Sequence, residues 1–171
     1  MENIFRQGNS LREAFQYQKR HNNHSNDNKM YIFARSDTFL MSPVDIPCSG
    51  LGDDTDMIVP RWDSWLGYND RFAVAGPDAA KVYANRIEGY KEAVLARRSN
   101  PKALPSFNNS ETLLKNWLLG SRLNVTEVED IKVWALLRVR ADGRIGERDV
   151  NQFGIKNTFP LPQLAIENEG G

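Results

Sequence analysis

Three adjacent polar residues, Asn69, Asp70 and Arg71, are the part of this sequence best suited to chemistry. They place an amide, a carboxylate and a guanidinium side by side, and these groups can orient a ligand, accept a proton and hold an anion. Aromatic rings beside such groups are typical of sugar-binding sites, where the rings cover the apolar face of the sugar. Aromatic residues occur just before the triplet, at Trp62, Trp65 and Tyr68. The alternative is a turn closed by an Asp–Arg pair, with the tryptophans half buried in the core.

A second candidate group follows a short apolar segment, residues 30–34, whose sequence MYIFA predicts a strand. Arg35 and Asp37 come directly after this strand. In open α/β sheets, ligands bind at the carboxyl ends of strands, and an aspartate there commonly holds a divalent cation that bridges phosphates. Asp37 is therefore a candidate metal ligand. The alternative is that Asp37 closes a turn and forms an ion pair with Arg35.

Glu111 is a further acidic candidate, in the first turn of a helix predicted over residues 110–119. A carboxylate at this position can act as a general base. The helix dipole also favours a negative charge there, so the residue has a structural explanation as well. Other charged residues cluster at the end of the last predicted strand and just beyond it: Arg138, Arg140, Asp142, Arg148 and Asp149.

The elements that must position these side chains are helices and strands in alternation. A capping box from Ser10 to Glu13 predicts a helix over residues 10–19. Pro77 begins a longer predicted helix that ends near Arg98. Short apolar runs predict strands over residues 30–34, 57–59, 71–75, 124–128 and 131–139. The last of these runs is apolar almost throughout, which predicts burial on both of its faces.

Length and composition fit one globular domain of 171 residues, of which 40% are apolar. We predict an α/β domain over residues 1–150, with a mixed sheet flanked by helices, and a tail over residues 151–171. Lys plus Arg and Asp plus Glu both number 22, so no basic surplus indicates nucleic-acid binding. The sequence has no segment typical of a signal peptide or a membrane span, which predicts a cytoplasmic protein.

Taken together, these blocks resemble GT-A-like glycosyltransferase domains of bacteria, plants and large algal viruses. The resemblance covers roughly residues 5–150, and its most specific part is NDRFA followed by a helix with YxNR. The matching blocks are RSDT at 35–38, PVDI at 43–46, NDRFA at 69–73, VYANR at 82–86, ETLL at 111–114 and RADG at 140–143.

The resemblance implies a GT-A-like, partly Rossmann-type fold and transfer of a sugar from a nucleotide sugar to a hydroxyl acceptor, usually a glycan. It implies that Asp37 holds Mn²⁺ or Mg²⁺ against the diphosphate. The first acid of the usual Asp-x-Asp motif is Arg35 here, and its guanidinium can contact phosphate directly. Asp70 and Glu111 are the implied candidates for the base. The implied substrate-binding residues are Arg35, Trp62, Trp65, Tyr68, Asn69 and Arg71.

The chain also departs from this family, because only about thirty residues precede the RSDT strand, where a nucleotide-binding βαβ half is usual. Either the domain is shortened, or the chain completes its nucleotide site in another way, for example with a partner chain. If that half is missing, we expect the strand at residues 30–34 to lie at an exposed edge of the sheet, which favours pairing with another chain. Two alternatives to the enzyme remain at this point. One is a non-catalytic module that binds a carbohydrate or a nucleotide sugar, and the other is a structural or interaction protein.

Overall fold

The computed structural model describes residues 2–21, 30–41, 43–46, 51–99, 109–130, 134–140, 143–145, 149 and 151. Its helices are α1 (Glu2–His21), α2 (Pro77–Ala84), α3 (Arg86–Ser99) and α4 (Ser110–Gly120). Its strands are β1 (Tyr31–Ala34), β2 (Thr38–Leu40), β3 (Asp56–Pro60), β4 (Phe72–Ala75), β5 (Asn124–Val128) and β6 (Leu136–Arg138). The predicted tail from residue 152 onward lies outside the described residues.

A mixed sheet with the strand order β1-β4-β3-β5 forms the centre of the domain. Strand β4 is antiparallel to both β1 and β3, whereas β3 and β5 are parallel. Strands β1, β3 and β5 therefore run in the same direction, and their carboxyl ends meet the amino end of β4. We call this end of the sheet the site end. The predicted α/β domain with a mixed, helix-flanked sheet is confirmed.

Alternating side chains of β3 divide the core between the two faces of the sheet, as the two-residue period of a strand requires. Met57 and Val59 face the helices, where they pack in one cluster with Phe15 of α1 and Leu114 of α4. Ile58 faces the opposite way and packs with other buried residues, namely Phe72, Val74, Trp134 and Leu136. Both faces of the central strands are thus covered.

A second, two-stranded sheet pairs β2 antiparallel with β6 and places Thr38 opposite Arg138. The strand predicted over residues 131–139 is shorter in the structure, where β6 covers Leu136–Arg138. Residues 131–133 lie outside the described part of the chain. Leu136 and Leu137 are both buried, so the predicted burial on both faces is confirmed for β6.

Helix α1 begins well before the predicted start at Ser10, which is an exposed residue inside the helix. The predicted capping box is therefore wrong. Asn9 instead donates a side-chain hydrogen bond to Glu13, one turn further on. The upstream turns are held by packing, since Ile4 and Phe5 lie against the buried pair Tyr90 and Leu113. Tertiary contacts have overridden the local helix-start signal.

The single long helix predicted from Pro77 is two helices, α2 and α3, separated by Asn85. The side-chain amide of Asn85 donates to the carbonyl of Lys81 at 2.8 Å. It therefore competes with the backbone hydrogen bonds of the helix at this point. Asn85 also accepts a bond from the amide of Glu88 at 2.9 Å. The break places Arg86 at the first position of α3, where its side chain is buried.

Strand β1 lies at an edge of the central sheet and pairs with β4 alone among the described strands. The predicted edge position is confirmed, and pairing with another chain stays a prediction. Ile32 of this strand is exposed, on the face opposite the helices. Within the described residues, no helix has the length and apolar character needed to cross a membrane.

Candidate functional site

Residues from separate segments meet at the site end of the sheet. Arg35 and Asp37 follow β1, Asp63 follows β3, and Asp70 and Arg71 precede β4. The direction of the strands explains why they meet, because the carboxyl ends of β1 and β3 adjoin the amino end of β4. The backbone amide of Arg35 donates to the carbonyl of Arg71 at 3.0 Å, which extends the β1–β4 ladder to this point.

Arg35 is the centre of the site, since its guanidinium lies between two carboxylates. Its Nε and Nη2 donate to the two oxygens of Asp37, each at 2.8 Å. Its Nη1 lies 3.2 Å from both oxygens of Asp70. Asp70 is only 3% exposed, so its carboxylate is held at the inner side of the site. The sequence predicted both blocks, and the structure brings them into contact.

Asp37 has a second arginine partner that comes from β6. The Nε of Arg138 donates to Asp37 at 2.9 Å. This contact follows from the pairing of β2 with β6, because Thr38, next to Asp37 in sequence, lies opposite Arg138. The amide of Val139 also donates to the carbonyl of Asp37 at 2.8 Å. Sequence analysis noted the charges after the last strand but did not place Arg138 in the site.

Arg71 extends the site on its other side. Its Nη1 donates to the two oxygens of Asp149 at 2.9 and 3.0 Å, and its Nη2 pairs with Asp63. Asp149 also accepts a bond from the backbone amide of Arg138 at 2.5 Å, so it joins the two halves of the site. We call the whole set the arginine–aspartate network: Arg35, Arg71, Arg138, Asp37, Asp63, Asp70 and Asp149.

Asn69 shapes the backbone of the site and is fully buried. Its amide donates to the carbonyl of Trp62 at 2.7 Å, and its side-chain oxygen accepts the amide of Arg71 at 2.9 Å. The side chain therefore ties the segment after β3 to the segment before β4. Asn69 holds the neighbouring charged residues in place, and its side chain is engaged within the fold.

The ion pair between Arg35 and Asp37 shifts the pKa values of these two groups. Burial alone would raise the pKa of Asp37, but hydrogen bonds and charge from Arg35, then from Arg138, lower it below the usual range. Burial likewise opposes the charge of Arg35, yet Asp37 and Asp70 raise the pKa of its guanidinium. Asp37 and Arg35 therefore both stay charged across the physiological pH range.

Glu111 lies beside this network, at the first turn of α4. Its carbonyl accepts the amide of Tyr68 at 3.1 Å, so the segment before Asp70 is tied to the helix. A Cβ at Gly67 would lie 2.0 Å from the carbonyl carbon of Glu111, so only glycine permits this close approach. Burial, and then the negative charge of Asp70, raise the pKa of the Glu111 carboxyl.

The predicted aromatic residues differ in exposure. Trp62 and Tyr68 are buried and pack in the core, so they offer no face to a sugar in this conformation. Trp65 is 53% exposed and lies at the surface next to α4. Its carbonyl accepts the Asn109 amide at 3.1 Å. The prediction of stacking on a sugar is therefore restricted to Trp65.

The loop that carries Trp65 has a strained backbone. Asp63, Trp65 and Leu66 adopt positive φ angles of 53°, 40° and 68°. This region is unfavourable for residues with a Cβ, and such conformations concentrate at functional sites. Leu66 is 87% exposed, so burial of its side chain does not offset the backbone strain. The loop carries an exposed indole two residues after Asp63.

Asp37 does not fit a divalent metal ion in its present arrangement. Both carboxylate oxygens already accept hydrogen bonds from guanidinium groups, which would repel a cation. Within the described part of the chain, no group of three or more His, Cys, Asp or Glu is placed to hold a metal. The cationic groups that these residues supply are Arg35, Arg71 and Arg138.

No family model, curated protein or solved structure matches this chain.

Proposed function

We propose that this protein transfers a sugar from a nucleotide-sugar donor to a hydroxyl acceptor on a glycan. One observation carries the proposal. The two blocks most central to the GT-A resemblance, RSDT and NDRFA, lie in contact through Arg35 and Asp70 at the site end of the sheet. Ligands of α/β sheets bind at such strand ends. The reaction needs a carboxylate to accept a proton and guanidinium groups to bind phosphate, and both are present here.

The arginines are the groups suited to the donor diphosphate. A guanidinium presents parallel N–H donors that match the oxygens of a phosphate, and it binds them in a bidentate manner. Arg35, Arg71 and Arg138 are each paired with aspartates of the same network, which hold the guanidinium groups in position. A diphosphate that binds at these donors takes the place of a carboxylate. In this proposal the arginines stabilise the leaving nucleoside diphosphate.

Asp70 is the proposed base. It accepts the proton of the acceptor hydroxyl as the acceptor oxygen bonds to the anomeric carbon. The bond between that carbon and the donor diphosphate breaks in the same step, and the leaving oxygen keeps the electron pair. Glu111 is the second candidate, and burial and the charge of Asp70 raise the pKa of its carboxyl. Trp65 would stack on the acceptor sugar.

The alternative is a binding module of the same ancestry that holds a nucleotide sugar without transfer. One feature favours it: the network aspartates pair with every network arginine, as in a rigid ion-paired scaffold. A structural or interaction protein would use the same scaffold without a ligand.

Release of free sugar from the donor separates these possibilities. Purified protein is incubated with UDP-, GDP- and dTDP-sugars, and free sugar and nucleoside diphosphate are quantified. We expect slow hydrolysis of one donor, and we expect Asp70→Asn to reduce it by about 10²-fold or more, as for loss of a general base. Arg61→Lys is the matched control, because Arg61 is exposed and pairs with Glu129, which is not a member of the network. Hydrolysis that Asp70→Asn leaves unchanged would overturn Asp70 as the base.

A further inference from the structure

Arg86 is a buried arginine outside the arginine–aspartate network, at the first position of α3. It is 3% exposed, yet its Nε and Nη1 have no hydrogen-bond partner. The hydroxyl of Tyr90, one turn further along α3, is also buried without a partner. Buried polar groups are nearly always hydrogen-bonded, and each unpaired group costs about 1–3 kcal/mol. Unpaired donors on neighbouring turns of one helix therefore call for an explanation.

Arg86 is connected to Asp70 through Tyr83. The guanidinium carbon of Arg86 is 4.8 Å from the centre of the Tyr83 ring, and the Tyr83 hydroxyl is 3.5 Å from the carbonyl of Asp70. Burial would lower the pKa of Arg86, but interactions with Tyr83, Tyr90 and Asp70, including a hydrogen bond to Tyr83, raise it. Arg86 thus stays charged and interacts electrostatically with Asp70.

The present contact between Asp70 and Arg35 is long. Hydrogen bonds between guanidinium and carboxylate groups are usually 2.7–2.9 Å, whereas Arg35 Nη1 is 3.2 Å from both Asp70 oxygens. Arg35 makes its shorter bonds with Asp37. A ligand phosphate that binds Arg35 would therefore displace Asp70 more readily than Asp37. A buried carboxylate without a counter-ion is costly, so Asp70 then needs another partner.

We propose that Arg86 and Tyr90 are positioning residues that receive the Asp70 carboxylate when a phosphate ligand occupies Arg35. The inference rests on the proposed function, because it requires phosphate to bind at Arg35. In the ligand-free protein Nε and Nη1 of Arg86 and the hydroxyl of Tyr90 are unpaired. In the bound protein the Asp70 carboxylate pairs with them and is held away from the phosphate that would repel it. The donor thus sets the position of the base before transfer.

Side-chain NMR of the full chain tests this directly, with inorganic pyrophosphate as the probe. The Nε–H signals of Arg35 and Arg86 are assigned with Arg35→Lys and Arg86→Lys. Pyrophosphate is expected to shift the Arg35 signal and to move the Arg86 signal downfield, as hydrogen bonding to a carboxylate does. In Asp70→Asn the Arg86 shift is expected to be lost while Arg35 still responds.

A response at Arg35 without one at Arg86 would overturn this inference and leave phosphate binding intact. No response at Arg35 would overturn phosphate binding there, and this inference with it. A downfield shift of Arg86 that persists in Asp70→Asn would also overturn it, since another acceptor would then be responsible.

Tyr90→Phe gives a second test that does not depend on the folding of an arginine variant. It removes a hydroxyl that has no partner in the free protein, so the unfolding midpoint without ligand should stay the same or rise. Pyrophosphate should bind about tenfold more weakly, because the displaced Asp70 loses one hydrogen bond. Tyr17→Phe, at an exposed position on α1, is the control and should change neither value. An unchanged affinity in Tyr90→Phe would overturn the role of Tyr90.

Discussion

The Nη1 of Arg35 lies 3.2 Å from both carboxylate oxygens of Asp70, thirty-five positions further along the chain. This contact joins the end of β1 to the start of β4 and connects the two most chemically suggestive segments of the sequence. It also makes Asp70 a buried, charged group at a strand end, which is the feature on which the proposed function depends. The predictions below test the parts of the structure that hold this contact in place.

Asp37→Asn should destabilise the protein in a pH-dependent way. The pKa of Asp37 is lowered below 3.8 by Arg35 and Arg138, so its contribution is present above pH 3.8 and is lost as pH falls through the folded-state pKa. At pH 7 we expect the variant to lose about 1–3 kcal/mol of unfolding free energy. Chemical denaturation between pH 2 and 7 measures this. Glu129→Gln, in an exposed pair, is the control, and a loss that does not shrink in acid would contradict the assignment.

Glu111→Gln should have the opposite effect on stability and make the protein more stable at pH 7. Burial and the charge of Asp70 raise the pKa of Glu111 above 4.5, so its favourable contribution is present below pH 4.5 and is lost as pH rises through the folded-state pKa. At pH 7 the variant should therefore unfold at a higher temperature than the wild type, and the difference should disappear in acid. Thermal unfolding at several pH values measures it. Glu92→Gln on α3 controls for the loss of a negative charge, and a variant less stable at pH 7 would refute the prediction.

Gly67→Ala should disrupt the site by steric overlap. The added Cβ would lie 2.0 Å from the carbonyl carbon of Glu111, so the loop and α4 must separate. We expect a loss of about 3 kcal/mol, at the upper end of overpacking effects. Gly120→Ala is a matched control, because a Cβ there meets no atom within 4 Å and lies in a helix. That control should be neutral or stabilising. Equal effects of the two substitutions would show that the close contact is absent.

Trp65→Ala and Trp62→Ala should separate binding from stability. Trp65 is exposed, so its loss should hardly change the unfolding midpoint but should weaken binding of an acceptor sugar. Trp62 is buried in the cluster of Ile58 and Phe72, so its loss should cost about 3–5 kcal/mol. Thermal unfolding and glycan-binding measurements on both variants provide the test. Unchanged glycan affinity in Trp65→Ala would show that the indole does not bind the acceptor sugar.

The strand positions explain why part of the site could be predicted from sequence. Apolar runs fixed β1 and β4, and charged residues directly before or after a strand must lie at the end of the sheet. Arg35 and Asp37 were therefore placed at the end of β1, and Asp70 at the start of β4. The direction of β4 relative to β1 depends on long-range pairing, which local patterns do not encode.

The remaining site residues could not be predicted because they depend on tertiary contacts. Arg138 reaches Asp37 only through the pairing of β2 with β6, which joins segments about a hundred residues apart. The burial of Trp62 and Tyr68 depends on which side of the loop faces the core, and that is set by Asn69 and Gly67. The predicted start of helix α1 at Ser10 was wrong for the same reason. Packing of the first turns against α3 outweighed the capping-box pattern that begins at Ser10.

Ligand-dependent thermal unfolding with UDP-, GDP- and dTDP-sugars tests the central claim most directly. A donor at about one hundred times its dissociation constant adds roughly 2.7 kcal/mol, which is about 5–10 °C for a domain of this size. We predict such a rise for one donor in the wild type, its retention in Arg61→Lys, and its loss in Arg35→Lys, because lysine cannot bind phosphate in a bidentate manner. If no donor raises the midpoint, or if Arg35→Lys retains the full rise, the arginine–aspartate network is not a nucleotide-sugar site.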